Sequence, residues 1–194
     1  IAKNIDIMEM EFNYWLTNHT KLINHNGKNY VLCVYGDRSR GPRPESYWED
    51  VEMAESFKEE YQKENLYSEL KAAAESGWDF SSRWFILNGT NKGNLSNINT
   101  RSIVPTDLNA LIYWNAVILS EFFQILNNTE KANKYSNIAN EWMEAVTAVL
   151  WHEEIGAWLD FDLLNNIKRN YFYPTNISPL RTGCYPKYNR EKIV

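Results

Sequence analysis

Hydrophobic residues recur at helical spacing along several stretches of the chain. Residues 2–20 place their apolar side chains on one face of a helix, the pattern of an amphipathic helix. Residues 108–126 are apolar nearly all round, which predicts a helix that is buried on several sides. Residues 130–150 instead carry one apolar stripe and one polar face. A buried helix paired with a half-exposed one is typical of a two-layer helical array, such as an α/α toroid or solenoid.

Two shorter segments have the pattern of β-hairpins. The turn residues Asn26 and Gly27 separate the runs "KLINH" and "NYVLCVY", which predicts a first hairpin. Residues 157–173 alternate between apolar and polar positions and turn at Asn165 and Asn166, which predicts a second one. We therefore expect a mainly α-helical protein with short β-hairpin insertions.

A pair of helices is predicted between residues 46 and 77. Ser46 followed by Glu49 has the pattern of a capping box, so the first helix is expected to begin near Ser46. The polar residues 62–65 predict a break before the second helix. Gly77 is expected to end that helix, because glycine adopts the left-handed conformation of a C-terminal cap without steric cost.

This helix pair would bring three charged residues together. If the first helix leads away from residue 45 and the second returns to residue 77, Arg43, Glu45 and Asp79 lie at the same end of the pair. Loops at one end of a rigid scaffold are where binding and catalytic groups collect. From the residues alone, Arg43 and Glu45 could also form a solvated ion pair, and Asp79 could be a turn residue. Arg83 could either orient a carboxylate or brace the loop.

Composition narrows the class of protein. The chain has 194 residues, of which 44% are hydrophobic, and a net charge of -5. This is enough for one domain over residues 1–194, with no internal boundary. Without a basic tract, the chain lacks the electrostatic pattern of a nucleic-acid-binding protein. No apolar run is long enough to cross a bilayer, so we expect no membrane contact within this segment.

We expect neither a cofactor nor a metal ion. Asp160 and Asp162 share one face of a predicted strand and could ligate calcium. A strand whose polar face lies in water gives the same pattern, and we favour that interpretation. His152 is followed by Glu153 and Glu154, which lacks the helical spacing of a zinc site.

Other features bear on localisation. The chain opens at Ile1 without a methionine, so we expect it to be a piece of a longer protein. Cys33 and Cys184 could form a bridge or remain free thiols. Asn-x-Ser/Thr sequons favour the secretory route, either as a free protein or as one anchored through a segment outside these residues. The sequon asparagines are Asn18, Asn88, Asn94, Asn127 and Asn176.

Four blocks, taken in order, resemble the trehalase family. They are "GPRPESYWEDVEMAESF", "AAAESGWDFSSRWF", "IVPTDLNALIYWNAVIL" and "LWHEEIGAWLDFDL". Trehalases are inverting α,α-trehalose hydrolases built on an (α/α)6 barrel, and the resemblance covers roughly residues 10–182. It implies that the chain is an internal part of such a catalytic domain.

The resemblance also implies roles for individual residues. Asp79, in the Gly-Trp-Asp block, is expected to be the general acid, and Arg43 and Glu45 to hold sugar hydroxyls. Ser76 and Gly77 would stand beside the sugar. The general base would be a glutamate downstream, outside this chain, because inversion requires a second carboxylate about 6.5–9.5 Å from the acid. Trehalose and water would then be the partners.

A second class of function fits the same residues. A non-catalytic helical-array protein could bind a carbohydrate or a partner through the same aromatic loops. Other glycosidases share the (α/α)6 barrel, so the fold alone does not select the sugar. The Arg-Pro-Glu and Gly-Trp-Asp blocks favour trehalose over maltose or starch.

Overall fold

The computed structural model describes residues 1–36 and 39–186 and is mainly helical with small sheets. One compact unit comprises Ile1–Cys33 and the chain from Val104 onward, and a second comprises Val34–Ile103. The helices are α1 (Ile5–Asn18), α2 (Tyr47–Ala54), α3 (Glu60–Glu75), α4 (Thr106–Ile125), α5 (Thr129–Leu150) and α6 (Ser178–Thr182). The strands are β1 (Thr20–His25), β2 (Lys28–Cys33), β3 (Ile103–Val104), β4 (Trp151–His152), β5 (Ala157–Trp158), β6 (Phe161–Asp162) and β7 (Ile167–Lys168).

The first unit is built around α4 and α5. A short connection joins these two long helices, which makes them antiparallel neighbours. The α5 stripe is buried except at Ile138, which is half-buried, and Tyr135 of α5 stacks on Phe123 of α4 with ring centroids 5.6 Å apart. The expectation that α4 is buried on several sides is wrong in part, because Leu111 and Ile125 are 45% and 63% exposed. Leu108, Ile112, Leu119 and Phe123 of α4 are buried.

The predicted hairpin at Asn26 and Gly27 is confirmed. β1 pairs antiparallel with β2, with Thr20 opposite Cys33 and His25 opposite Lys28. Asn26 and Gly27 have φ of 51° and 77°, the left-handed values that a tight two-residue turn requires. The hairpin is fixed to α4 because the Asn109 side chain accepts a hydrogen bond from Cys33 N (2.8 Å) and donates one to Cys33 O (2.9 Å).

Two small hairpins follow α5. β4 pairs with β5, and β6 pairs with β7, both antiparallel. The second of these contains the predicted turn, in which Asn166 has a φ of 54°. This part of the sequence prediction is therefore also confirmed.

The second unit contains the predicted helix pair with two corrections. α2 begins after Ser46 as expected, but the Ser46 side chain makes no capping hydrogen bond, because a 3-10 turn at Pro44–Ser46 leads directly into the helix. The predicted break at residues 62–65 is wrong, since α3 already begins at Glu60. Those polar residues belong to its first, partly exposed turns, and the capping box is formed by Glu59 and Gln62.

Both cysteines are free and buried. Burial raises the pKa of the Cys33 thiol to about 12 and also raises the pKa of the Cys184 thiol. Both side chains therefore serve as small apolar groups. Over residues 1–36 and 39–186, no helix is long and apolar enough to span a bilayer.

Candidate active site

The centre of the candidate site is an ion pair between Arg43 and Asp50. Asp50 Oδ2 accepts hydrogen bonds from Arg43 N and Nε, both at 3.0 Å, and Asp50 Oδ1 accepts one from the Arg43 terminal nitrogen at 2.7 Å. The Asp50 side chain is fully buried and the Arg43 side chain is 10% exposed. Arg43 is therefore a fixed guanidinium, not half of a solvated pair with Glu45. Sequence reasoning missed Asp50, although it lies within the Arg-Pro-Glu block.

The structure places Glu45 and Asp79 around this guanidinium. The hydrogen bond to Asp50 raises the pKa of Arg43, against the effect of burial, and the charges of Asp50, Glu45 and Asp79 raise it further. The Arg43 guanidinium also lies over the Phe80 ring, 4.7 Å from its centroid. Glu45 and Asp79 are both exposed. The two loops that flank the helix pair thus bring one buried cation and two accessible carboxylates together.

The loop that carries Asp79 is held by its aromatic residues. Trp78 O accepts hydrogen bonds from Ser81 N (2.8 Å) and from Trp84 Nε1 (3.0 Å). The Arg83 guanidinium packs against Trp84 and Trp78, 4.6 Å and 5.7 Å from their ring centroids, and is fully buried. These contacts support the interpretation that Arg83 braces the loop. The bond between Asp79 and Phe80 is a cis peptide.

Ser76 and Gly77 connect α3 to this loop. Ser76 Oγ donates to Ala73 O (2.5 Å) and accepts from Trp78 N (3.0 Å), so the hydroxyl proton is used within the chain. Gly77 has a φ of 69°, and a Cβ at this position would meet nothing within 4 Å. Glycine is required here by the left-handed backbone, as predicted, and not by lack of space.

One face of α3 holds the loop that precedes Arg43. Glu64 accepts hydrogen bonds from Gly41 N (3.1 Å to Oε2), and Lys71 donates to Ser39 Oγ (2.8 Å). Further along the helix, Glu75 Oε2 accepts from the backbone N–H of residue 36 at 2.9 Å. These side chains follow one another at intervals of seven and four residues, which places them on one helix face. The sequence signal for this role, which sequence reasoning missed, is the helical spacing of Glu64, Lys71 and Glu75.

Asp160 and Asp162 do not lie on a solvated strand face, so that expectation is wrong. They are 2% and 0% exposed. Asp160 Oδ1 accepts from Thr106 N (2.9 Å). Asp162 accepts from the backbone N–H groups of residues 164 and 165, and it pairs with Arg169 at 3.6 Å. These carboxylates anchor the backbone. Over residues 1–36 and 39–186, no three acidic, histidine or cysteine side chains cluster as metal ligands.

The sequon asparagines divide into two kinds. Asn176 is fully buried, its Oδ1 accepts from Tyr173 N (2.6 Å) and its Nδ2 donates to Trp158 O (2.6 Å). It is therefore a structural residue of the first unit. The others lie outside the core, at turns or helix ends; they are Asn18, Asn88, Asn94 and Asn127.

Comparison with known proteins identifies the family. The family model described as Trehalase matches residues 1–194. The chain belongs to the trehalase family. It is 57% identical over its full length to the trehalase of Apis mellifera, and covers 31% of that protein. It is 44% identical over 185 residues to the trehalase of Homo sapiens, covering 95% of this chain and 31% of that protein.

A solved trehalase structure shows the same fold. The neutral trehalase of Saccharomyces cerevisiae superposes with a TM-score of 0.64 at 17% sequence identity, covering 83% of this chain and 32% of the yeast protein. This similarity supports the fold and says nothing of individual residues. The chain spans about a third of the length of the curated trehalases that it matches. The resemblance that the four sequence blocks indicated is thus confirmed at the level of the family.

Proposed function

We propose that the protein containing this chain hydrolyses α,α-trehalose to two glucose molecules with inversion at the anomeric carbon, and that Asp79 is the general acid. The observation that carries the proposal is the position of Asp79, an exposed carboxylate on the loop after α3, beside the buried and ion-paired Arg43. A general acid must reach the glycosidic oxygen, because that oxygen is a poor leaving group until it is protonated. The trehalases named above support the choice of substrate.

Arg43 and Glu45 are proposed to bind sugar hydroxyls. Asp50 occupies Nε and one terminal nitrogen of Arg43, which fixes the plane of the guanidinium. The other terminal nitrogen can then donate to a sugar oxygen, while exposed Glu45 accepts from a hydroxyl. Because Arg43 is already fixed, it would orient the sugar without a new ordering of its own side chain on binding.

Ser76 and Gly77 are proposed to stand beside the same sugar. Because the Ser76 hydroxyl proton already serves Ala73 O, only the oxygen of Ser76 remains to accept a hydrogen bond from a ligand. Gly77 leaves the backbone open at the point where the chain turns towards Asp79. A side chain at residue 77 would strain the left-handed backbone and thereby displace the acid.

The second half of the mechanism requires a base. Inversion needs a carboxylate that activates water on the opposite face of the sugar. We propose that this base is a glutamate in the part of the trehalase to which this chain does not correspond. We propose also that the helices belong to an (α/α)6 barrel, which is supported by the likeness to the yeast enzyme and by the pairing of apolar α4 with amphipathic α5.

The test is trehalose hydrolysis by the full-length enzyme and its Asp79→Asn variant. General acid catalysis contributes about 10²–10⁴-fold, so kcat should fall by that factor while KM changes little. Exposed Asp6 on α1 provides the matched control, and Asp6→Asn should leave kcat unchanged. Unaltered hydrolysis by Asp79→Asn would remove Asp79 from the mechanism. Proton NMR of the first-formed glucose anomers reports inversion, and maltose and starch serve as competing substrates.

We propose that the protein is secreted as a glycoprotein, either free or held at a membrane by another segment. Support comes from the positions of Asn88, Asn94 and Asn127, which are exposed. Peptide mass spectrometry of protein secreted by a eukaryotic host should find glycans among these sites and none on buried Asn176. A glycan on Asn176 in folded protein would contradict the structure, and absence of every glycan would remove this support for secretion.

A further inference from the structure

A cavity of about 380 Å³ lies in the second unit, at the start of α3. Leu66 and Ile98 form its apolar floor and are each 4% exposed. Phe57 and Tyr61 supply aromatic rings, and Tyr61 is 70% exposed, which places it at the mouth. The volume is within the range of small-molecule sites in proteins, about 300–1,000 Å³.

The polar residues of this cavity are all uncharged, and each has one end fixed by the protein. Asn65 Oδ1 accepts from the Arg101 guanidinium (2.5 Å), and Gln62 Oε1 accepts from Glu59 N (3.4 Å). Both amides therefore keep their NH2 groups as donors for a ligand. Arg101 is itself paired with Glu69 at 2.8 Å, so its charge is already compensated.

Asn99 and Ser96 supply hydrogen-bond acceptors to the cavity. Asn99 Nδ2 donates to Asn97 O (2.9 Å), and this leaves Asn99 Oδ1 as an acceptor. Ser96 Oγ donates to Asn94 Oδ1 (2.6 Å), and this leaves the lone pairs of the Ser96 hydroxyl. In the described part of the chain the cavity thus offers donors and acceptors that are already oriented, together with exposed aromatic surface.

This combination matches one class of ligand. A pyranose ring carries hydroxyls that both donate and accept, and it has an apolar face that packs on an aromatic ring. The described residues that line the cavity offer an anionic ligand no uncompensated cation, and a purely apolar ligand would leave the amides unpaired. We propose that this cavity binds one neutral pyranose ring, packed against Tyr61 and hydrogen-bonded by Gln62, Asn65, Ser96 and Asn99.

The cavity and Asp79 belong to opposite ends of α3. Tyr61 lies in the first turn and Asp79 follows Gly77 after the last turn, so about 20 Å of helix separates them at 1.5 Å per residue. The proposed sugar site shares no residue with the set around Arg43. It does not depend on the proposed hydrolysis and would stand if Asp79 proved inactive.

The pyranose could come from two sources. One is a free saccharide in solution. The other is the first sugar of a glycan on Asn94, because Asn94 hydrogen-bonds directly to Ser96, which lines the cavity. In that case Asn94 Nδ2 would lose a proton and bond to the anomeric carbon of a lipid-linked oligosaccharide donor, with the lipid pyrophosphate as leaving group.

The test uses full-length protein made without glycans and titrated with methyl α-glucoside and N-acetylglucosamine, followed by ligand-observed NMR. Tyr61→Ala should weaken binding of at least one probe by about fivefold or more, as expected on loss of an aromatic anchor. Asn99→Ala should do the same by removing an acceptor. Phe172→Ala is the matched control, because Phe172 is a 64% exposed aromatic in the other unit.

The second arm repeats the titration with secreted protein. If the wild type binds neither probe and Asn94→Gln binds one, the cavity holds the linked sugar. If both bind alike, the ligand is the free saccharide. The proposal fails if glycan-free Tyr61→Ala and Asn99→Ala bind both probes as tightly as Phe172→Ala, or if the glycan-free wild type binds neither probe.

Discussion

Within residues 1–36 and 39–186, arginine is paired with aspartate around Arg43 and around Arg169, and the two regions use the pair in opposite ways. Around Arg43, one carboxylate is buried and two others, Glu45 and Asp79, remain exposed. Around Arg169, both Asp160 and Asp162 are buried with the arginine.

The difference lies in what the carboxylate oxygens contact. Asp162 accepts hydrogen bonds from two backbone N–H groups and from the Asn165 side chain, and it pairs with Arg169. Such a group is satisfied by its own chain and is closed to water. Asp79 instead faces solvent, where it can meet a ligand. Burial and bonding, more than residue type, separate a structural aspartate from a candidate catalytic one.

The largest expected effect is on the free energy of unfolding at Asp162, which is buried beside Arg169. Asp162→Ala removes a buried carboxylate from beside buried Arg169, and breaking such a pair costs about 3–5 kcal/mol. Asp79→Asn, at an exposed position, should change the free energy of unfolding by less than about 0.5 kcal/mol. Urea unfolding of both full-length variants measures the contrast. If both variants lost the same free energy of unfolding, the proposed difference between the Arg169 and Arg43 regions would be contradicted.

Asp50 shares a feature with each region. It is buried like Asp162, but it pairs with Arg43, which lies beside exposed Glu45 and Asp79. Asp50→Asn should lower the free energy of unfolding by about 2 kcal/mol, because charge-assisted hydrogen bonds to Arg43 are weakened. It should also raise KM for trehalose about tenfold, as a mispositioned Arg43 would no longer orient the sugar. Asp162→Asn is the control, which should affect unfolding without raising KM. A KM unchanged in Asp50→Asn would assign Asp50 a structural role alone.

Asn176 tests whether the first unit depends on polar anchors beyond its aspartates. Its side chain makes two buried hydrogen bonds to the backbone, at Tyr173 and Trp158. Asn176→Ala should therefore lower the free energy of unfolding by about 2 kcal/mol. Asn127→Ala, at an exposed sequon, should have little effect in glycan-free protein. Differential scanning calorimetry compares them, and a destabilised Asn127→Ala with a stable Asn176→Ala would reverse the assignment.

The smallest effect is expected at Glu9, which links α1 to α5. Burial raises the pKa of Glu9, but hydrogen bonds from Lys131 (2.7 Å) and Tyr135 (2.6 Å) outweigh it and hold the pKa below its ordinary value of 4.5. A lowered folded pKa contributes stability above pH 4.5 that is lost as the pH falls through the folded value. Glu9→Gln should cost about 1 kcal/mol at pH 7 and flatten the acid limb of the stability curve. An unchanged acid limb would contradict this linkage.

Much of the fold followed from local pattern. The spacing of apolar residues predicted α1, α4 and α5, and turn residues such as Asn26 and Gly27 predicted the hairpins, because both signals act over a few residues. The start of α3 was misplaced, since polar residues in an exposed first turn resemble a break. Exposure of Leu111 was not predictable, because it depends on which neighbours cover α4.

The sequence predicted which residues form the candidate site, but it did not predict the contacts that hold them in place. Arg43, Glu45 and Asp79 stand in recognisable blocks, whereas the bond from Asp50 back to Arg43 depends on the 3-10 turn between them. The burial of Asp160 and Asp162 was not predicted either. Alternation along a strand predicts which side chains share a face, but tertiary packing decides whether water reaches that face.

The balance of charge around Arg43 bears on which disaccharides the proposed sugar site would accept. One guanidinium faces Asp50, Glu45 and Asp79, so the group is net negative even when Asp79 carries a proton. A phosphorylated disaccharide would be repelled, because its phosphate has the same sign of charge as this group. The site should therefore discriminate against phosphosugars by electrostatic exclusion, and adding salt should weaken that exclusion.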